Sequence, residues 1–169
     1  MSARRTYYDA ILTSSATVLA DNPSMKHKLK IVLDREFKTD FGMEVYRQGR
    51  IIVVTSKDEV ISPSEHIKII KCPLSDNGFD LNELLKILYG MGIKSVFVES
   101  GGKLAGSFIK ENLADKIYHF IAPKVLNDNA GRSCFDGDII SKISDSKKLV
   151  VESVKQFAND LLVVYRCKI

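Results

Sequence analysis

The chain has 169 residues, of which 45% are hydrophobic, and a net charge of +4 from 25 basic and 21 acidic side chains. That apolar content suits one buried core rather than a disordered chain, and no apolar run reaches the roughly 18 residues of a membrane-spanning helix. The basic residues are scattered, densest at 26–30, which argues against a nucleic-acid surface, and Arg4 and Arg5 are not followed by the apolar stretch of a signal peptide.

Residues 3–8 read as helical, and 9–14 (DAILTS) as a short buried strand. Thr13, Ser14, Ser15 and Thr17 make the next segment rich in hydroxyls, and Asp21-Asn22-Pro23 closes it with a turn signal. On the residues alone this is a hydroxyl-rich turn with an Asx cap. Residues 30–34 (KIVLD), 51–56 (IIVVTS) and 67–72 (IKIIKC) read as further strands, rich in β-branched side chains.

The period then changes. Leu81, Leu84, Leu85 and Leu88 fall on one face of a helix. Asp80 stands at its N-cap, Glu83 completes a capping box, and Gly90 and Gly92 end it. Residues 95–99 (SVFVE) form the next buried strand, Gly101-Gly102 a turn, and 103–113 a second helix with Leu104, Ala105, Phe108 and Ile109 on its apolar side. Residues 116–122 are a strand ended by Pro123, 127–146 a long polar loop, and 149–156 with 161–167 a hairpin turning near Asn159-Asp160. Strands alternating with helices favour parallel pairing, and the hairpin would add antiparallel strands at an edge. No repeat or linker divides the chain, so 1–169 reads as a single domain.

The strongest chemical signal is 96–108 (VFVESGGKLAGSF), where a strand runs into two glycines and then a helix. Glycines allow close backbone approach, and free N–H groups at a helix start attract phosphate. An ordinary tight strand–helix connection explains the pattern equally well. Gly101 and Gly106 have the spacing of a phosphate loop, but Ser107-Phe108 stand where Lys and then Ser or Thr are required. The GxGxxG spacing is also absent. Glu99 ends the strand beside this turn, where a carboxylate can accept hydrogen bonds from a ligand. Arg5, Lys26 and Lys28 flank the hydroxyl-rich segment and could meet a phosphate. Cys72, Cys134 and Cys167 lack CxxC spacing, and His27, His66 and His119 share no ligand spacing, so neither a disulfide framework nor a metal site is expected and the cytosol is the expected compartment.

Segments 9–23 (DAILTSSATVLADNP) and 96–126 (VFVESGGKLAGSFIKENLADKIYHFIAPKVL) together resemble the reductase domain of the bifunctional riboflavin-biosynthesis deaminase–reductases. The likeness is collinear through the C-terminal hairpin. It implies an α/β, dihydrofolate-reductase-like fold: a mostly parallel central sheet flanked by helices, with a C-terminal antiparallel hairpin. Against the family pattern the N-terminal strand is missing, the chain opening in the helix that follows it. A central strand missing in this way would leave a sheet edge exposed.

The resemblance implies NADPH-dependent reduction of the ribosyl group of 5-amino-6-(5-phosphoribosylamino)uracil to the ribityl product. Thr17 and Asp21 match cofactor-contacting positions, and Gly101, Gly102, Lys103, Leu104, Ala105, Gly106 and Ser107 match the turn that cradles the cofactor phosphates. Arg35 stands where an arginine could reach the 2′-phosphate of NADP. Arg5 and Glu99 match substrate-binding positions, and Met25 and Lys28 fall near others. The accompanying proton is assigned to no residue: Asp21, Glu99 and water are candidates. The deaminase motif HxE with PCxxC is absent, so a separate deaminase would act upstream. A homodimer is implied, with no nucleic-acid or membrane partner. The alternative is a catalytically reduced binding or dimerisation module of the same fold.

Overall fold

A computed structural model describes residues 5–125, 127–128, 131, 133–137 and 141–167. The chain divides into two compact units, Met1–Gly101 and Gly102–Ile169.

The first unit is built on five parallel strands: β1 (Ala10–Ser14), β2 (Leu29–Leu33), β3 (Arg50–Thr55), β4 (Ile67–Lys71) and, later in the chain, β7 (Val96–Val98). Their order is β4-β3-β2-β1-β7. β1, β2 and β3 are buried along almost their whole length. This is why they read as unbroken apolar runs rather than alternating ones. Ile11 pairs with Lys30 and Thr13 with Val32, and Lys30 pairs in turn with Ile51. The chain steps outward from β1 to β4 and returns to the other side of β1 for β7. The strand order therefore reverses at β1, and the carboxyl ends of β1 and β7 flank a topological switch point. All three residues of the outer strand β7 are half-buried, less than the buried strand expected.

Helix α1 (Ser15–Asp21) occupies the segment expected to be a turn. The hydroxyl signal was a helix start: the Thr17 N–H donates to Ser14 Oγ at 3.4 Å, an N-cap. Asn22, at φ 43°, ends the helix in the left-handed region. Helix α2 (Leu81–Gly90) buries Leu81, Leu84 and Leu88. Asp80 caps it by accepting from the Glu83 N–H at 3.0 Å. The expected capping box is only half made: the Asp80 N–H donates to the Pro73 carbonyl, and the Glu83 carboxylate pairs with Lys86. Gly92, at φ +84°, makes the exit turn. Between β4 and α2 lies a short hairpin, β5 (Leu74–Ser75) and β6 (Gly78–Phe79).

A 3-10 turn at Glu44–Tyr46 places Val45 and Tyr46 in the core beside Val18, Met25 and Val32. It acts as a hub. Glu44 N–H donates to Asn22 Oδ1 at 2.9 Å, Tyr46 Oη meets Thr39 Oγ1 at 2.5 Å, and the Tyr46 carbonyl meets His66 Nε2 at 3.1 Å. Thr39 also donates from its N–H and hydroxyl to the fully buried Asp34 carboxylate at 2.8 and 2.7 Å, which folds the loop after β2.

Residues 3 and 4 of the expected helix 3–8 lie outside the described residues; beyond them, Tyr8 N–H donates to the Arg5 carbonyl at 3.2 Å and closes a turn.

The second unit contains α3 (Gly102–Lys110), β8 (Lys116–Ile121), a 3-10 turn at Ile143–Asp145, β9 (Leu149–Phe157) and β10 (Asp160–Cys167). The expected hairpin forms, and β10 also pairs with β8, giving an antiparallel sheet of its own in the order β8-β10-β9. The register slips by one residue between Val164 and Tyr165, a bulge. α3 buries Phe108 and ends as Leu113 N–H donates to the Phe108 carbonyl at 2.9 Å, past Asn112 at φ 59°. Of the expected loop 127–146, residues 129–130, 132 and 138–140 lie outside the described residues, and Ile143–Asp145 forms the 3-10 turn.

Candidate functional site at the strand carboxyl ends

Glu99 follows β7 and extends its ladder by donating its N–H to the Leu12 carbonyl at 2.8 Å. Its side chain stands at the switch point and forms a forked pair with Arg5: Nε to Oε2 at 2.8 Å and a terminal nitrogen to Oε1 at 2.5 Å. The side chains are 16% and 24% exposed. Two residues 94 positions apart, each matched separately to substrate binding, are thus brought into direct contact. A guanidinium fork on a carboxylate fixes both groups in one plane. With both its oxygens already accepting from Arg5, Glu99 can add an acceptor bond to a ligand N–H or O–H, and Arg5 keeps unused N–H donors.

Thr17 and Asp21 lie four residues apart on α1 and so share a face. Thr17 Oγ1 is 3.3 Å from Ser14 Oγ, and Asp21 is exposed. Met25 is 5% exposed and belongs to the hydrophobic core, at φ +46°. Lys28 is exposed. Arg35 follows β2 and pairs with Glu36 at 2.8 Å, an exposed contact of little energetic weight. Its carbonyl accepts from Thr55 Oγ1 and Ser56 Oγ, each at 3.0 Å.

The glycine turn divides into two kinds of position. At Gly101 no atom of the described residues comes within 4 Å of where a Cβ would stand, so the backbone is approachable from that side. At Gly102 a Cβ would lie 2.5 Å from the Ser133 carbonyl oxygen, and at Gly106 1.7 Å from that of Asp136. The Asp136 N–H also donates to the Gly102 carbonyl at 3.0 Å. Residues 102 and 106 are therefore glycine because a neighbouring main chain packs on them. Lys103 is exposed, Leu104 and Ala105 are half-buried, and Ser107 Oγ turns back to the Lys103 carbonyl at 3.0 Å.

Two groups stand apart: Thr13, read only as one of the hydroxyls after the first strand, and Lys30, read only as the start of the second. Thr13 Oγ1 is, among the described residues, the one buried side-chain polar atom without a hydrogen-bond partner. Lys30 lies in the central strand β2 with 2% exposure. A charge directly before the apolar run Ile31–Leu33 was the available signal for Lys30.

The profile of the RibD C-terminal domain family matches residues 1–163. The riboflavin biosynthesis protein RibD of Actinobacillus pleuropneumoniae is 26% identical over 95% of this chain and 46% of its own length. A 5-amino-6-(5-phosphoribosylamino)uracil reductase of Buchnera aphidicola is 25% identical, over 91% of this chain and 84% of its own. The crystal structure of a deaminase/5-amino-6-(5-phosphoribosylamino)uracil reductase from Thermotoga maritima superimposes with a TM-score of 0.81 at 28% identity, covering 98% of this chain and 47% of the other. The chain thus spans about half the length of the RibD relatives it matches. With the parallel sheet, its reversal at β1 and the collinear match, the chain belongs to the RibD C-terminal domain family.

Proposed function

We propose that the chain, 1–169, is one reductase domain that uses NADPH to reduce the ribosyl group of 5-amino-6-(5-phosphoribosylamino)uracil to a ribityl group. The observation that carries this reading is the Arg5–Glu99 fork at the switch point of a parallel sheet, in a chain of this family. Ligands of open α/β sheets gather at that place.

Thr17, Asp21, Arg35 and the residues from Gly101 to Ser107 are the proposed cofactor contacts. Approachable main chain at Gly101 supports this assignment, as does the face shared by Thr17 and Asp21. Arg35 would leave its exposed partner Glu36 for a 2′-phosphate at little cost. When bound, the cofactor supplies the hydride that C1′ of the opened ribosyl group accepts.

Arg5, Glu99, Met25 and Lys28 are the proposed substrate contacts. The fork presents Glu99 as a rigid acceptor for pyrimidine N–H groups. Lys28 offers a point charge to the substrate phosphate. Met25, being buried, would shape the wall behind the substrate. The proton that accompanies reduction comes from Asp21 or water, because both Glu99 oxygens already serve Arg5.

The substrate would be the product of a separate deaminase, and the protein would act in the cytosol as a homodimer. Val151 and Val154 of β9 are 56% and 59% exposed, an apolar surface that a second copy would cover; light scattering reads the association state. Titration by protein fluorescence tests the cofactor assignment. Saturable NADPH binding, tighter than NADH, is expected; absence of binding to either nucleotide would overturn it.

A further inference from the structure

Lys30 has no role in the proposed reduction, yet its environment is costly to build. Its side chain leaves the centre of the sheet and is 2% exposed. Burying an ammonium is unfavourable unless its donors are satisfied. Here they meet main-chain carbonyls: Nζ donates to the Val45 oxygen at short range and to the Ser24 oxygen at 3.5 Å. No carboxylate pairs with it among the described residues. Desolvation accordingly holds its pKa below the ordinary lysine range.

What those carbonyls belong to gives the contact its meaning. Ser24 directly precedes Met25, and the segment that leaves α1 contains two non-glycine residues in the left-handed region, Asn22 at φ 43° and Met25 at φ 46°. Such conformations persist only where surroundings over-determine them. The first is held because its side chain accepts from the Glu44 N–H at 2.9 Å. The second is held from below by packing, since Met25 shares the core with Val45 and Tyr46. The Lys30 ammonium ties the peptide between them to the same 3-10 turn.

We infer that Lys30 is a positioning residue: its buried ammonium, bridging the Ser24 and Val45 carbonyls, sets the geometry of the 22–28 segment that carries Met25 and Lys28. This rests on the proposed reading of those two residues as substrate contacts. The bridge needs a long stem and several donors at its tip. Methionine supplies the stem alone, and arginine supplies both.

The experiment compares the full-length protein with Lys30→Met and Lys30→Arg. It measures KM and kcat for 5-amino-6-(5-phosphoribosylamino)uracil, Kd for NADPH, and amide exchange over 22–28; Lys30→Gln replaces Lys30→Met should the latter not fold. The expected result for Lys30→Met is a rise in substrate KM of about tenfold, with kcat and NADPH Kd within about twofold of wild type. Exchange at 22–28 should quicken while β1 and β3 stay protected, and Lys30→Arg should recover most of the KM. A folded Lys30→Met with unchanged KM and unchanged exchange overturns the inference. So does a parallel loss of thermal stability and kcat that Lys30→Arg fails to rescue, the pattern of a purely structural lysine. Wild-type protein that turns over no substrate refutes the functional reading itself, and the inference with it.

Discussion

Replacing Gly106 by alanine puts two effects of opposite sign on one position of the glycine turn. Alanine is the better helix former by about 1 kcal/mol, and Gly106 lies inside α3. Against this, the new Cβ would stand 1.7 Å from the Asp136 carbonyl oxygen and 2.8 Å from its carbon, where ordinary contact begins at 3.4 Å. The obstacle is main chain, which cannot rotate away as a side-chain tip can. Overpacking of this kind costs roughly 1–3 kcal/mol and more when the backbone must move. The clash should win by about 1–2 kcal/mol, which for a domain of this size lowers Tm by roughly 2–8 °C. Gly90, at the end of α2, has no atom of the described residues outside its own helix backbone within 4 Å of its Cβ position. Gly90→Ala should therefore raise Tm by up to about 4 °C, the propensity effect alone. Scanning calorimetry of both variants decides the matter. If Gly106→Ala raises Tm as Gly90→Ala does, the packing explanation for that glycine is wrong.

Three further outcomes follow from single contacts. Thr13→Val removes the orphaned hydroxyl beside Val32 in the central sheet and should stabilise the protein by about 1 kcal/mol in urea denaturation; a loss of similar size would mean the hydroxyl has a partner. The Asp9 carboxylate accepts from Lys94 N–H and Ser95 N–H at 2.9 Å and from Ser95 Oγ at 3.1 Å, and these bonds, Lys94 first, hold its pKa below 3.8. Its stabilisation is thus fully present above the ordinary carboxyl value and lost as pH falls through the lowered folded one; the Tm gap between wild type and Asp9→Asn should close as the pH is brought below 3.8, and a gap independent of pH would contradict the assignment. Glu99→Gln leaves the Arg5 guanidinium facing a neutral amide, so turnover at subsaturating substrate should fall by tenfold or more, whereas an unchanged kcat/KM would remove Glu99 from the site.

The parts of this molecule legible in its sequence are those governed by local periodicity. The apolar runs of β1 to β4 and the leucine spacing of α2 belong here, as does the Asp80 cap, whose partner is three residues away. The start of α1 was misread because Ser14 and Thr17 signal a turn and a helix cap with the same hydroxyls. What remained hidden depends on distant chain. The Arg5–Glu99 fork joins residues 94 apart, and the Glu44–Tyr46 hub gathers partners from loops on either side of it. The reasons for Gly102 and Gly106 lie in residues 133–136, which no spacing rule connects to them. For the same reason Lys30 looked like the opening residue of a strand, when its significance lies in two carbonyls elsewhere.

Reduction of the phosphoribosylamino-pyrimidine is read as loss of NADPH absorbance, at roughly the 1–10³ s⁻¹ scale of ordinary enzymes. The purified full-length protein is supplied with 5-amino-6-(5-phosphoribosylamino)uracil, and the product is identified by mass spectrometry. NADPH should be oxidised in a substrate-dependent reaction, with a gain of two hydrogens in the product. Binding of both ligands with no oxidation above the substrate-free rate would refute the reductase assignment.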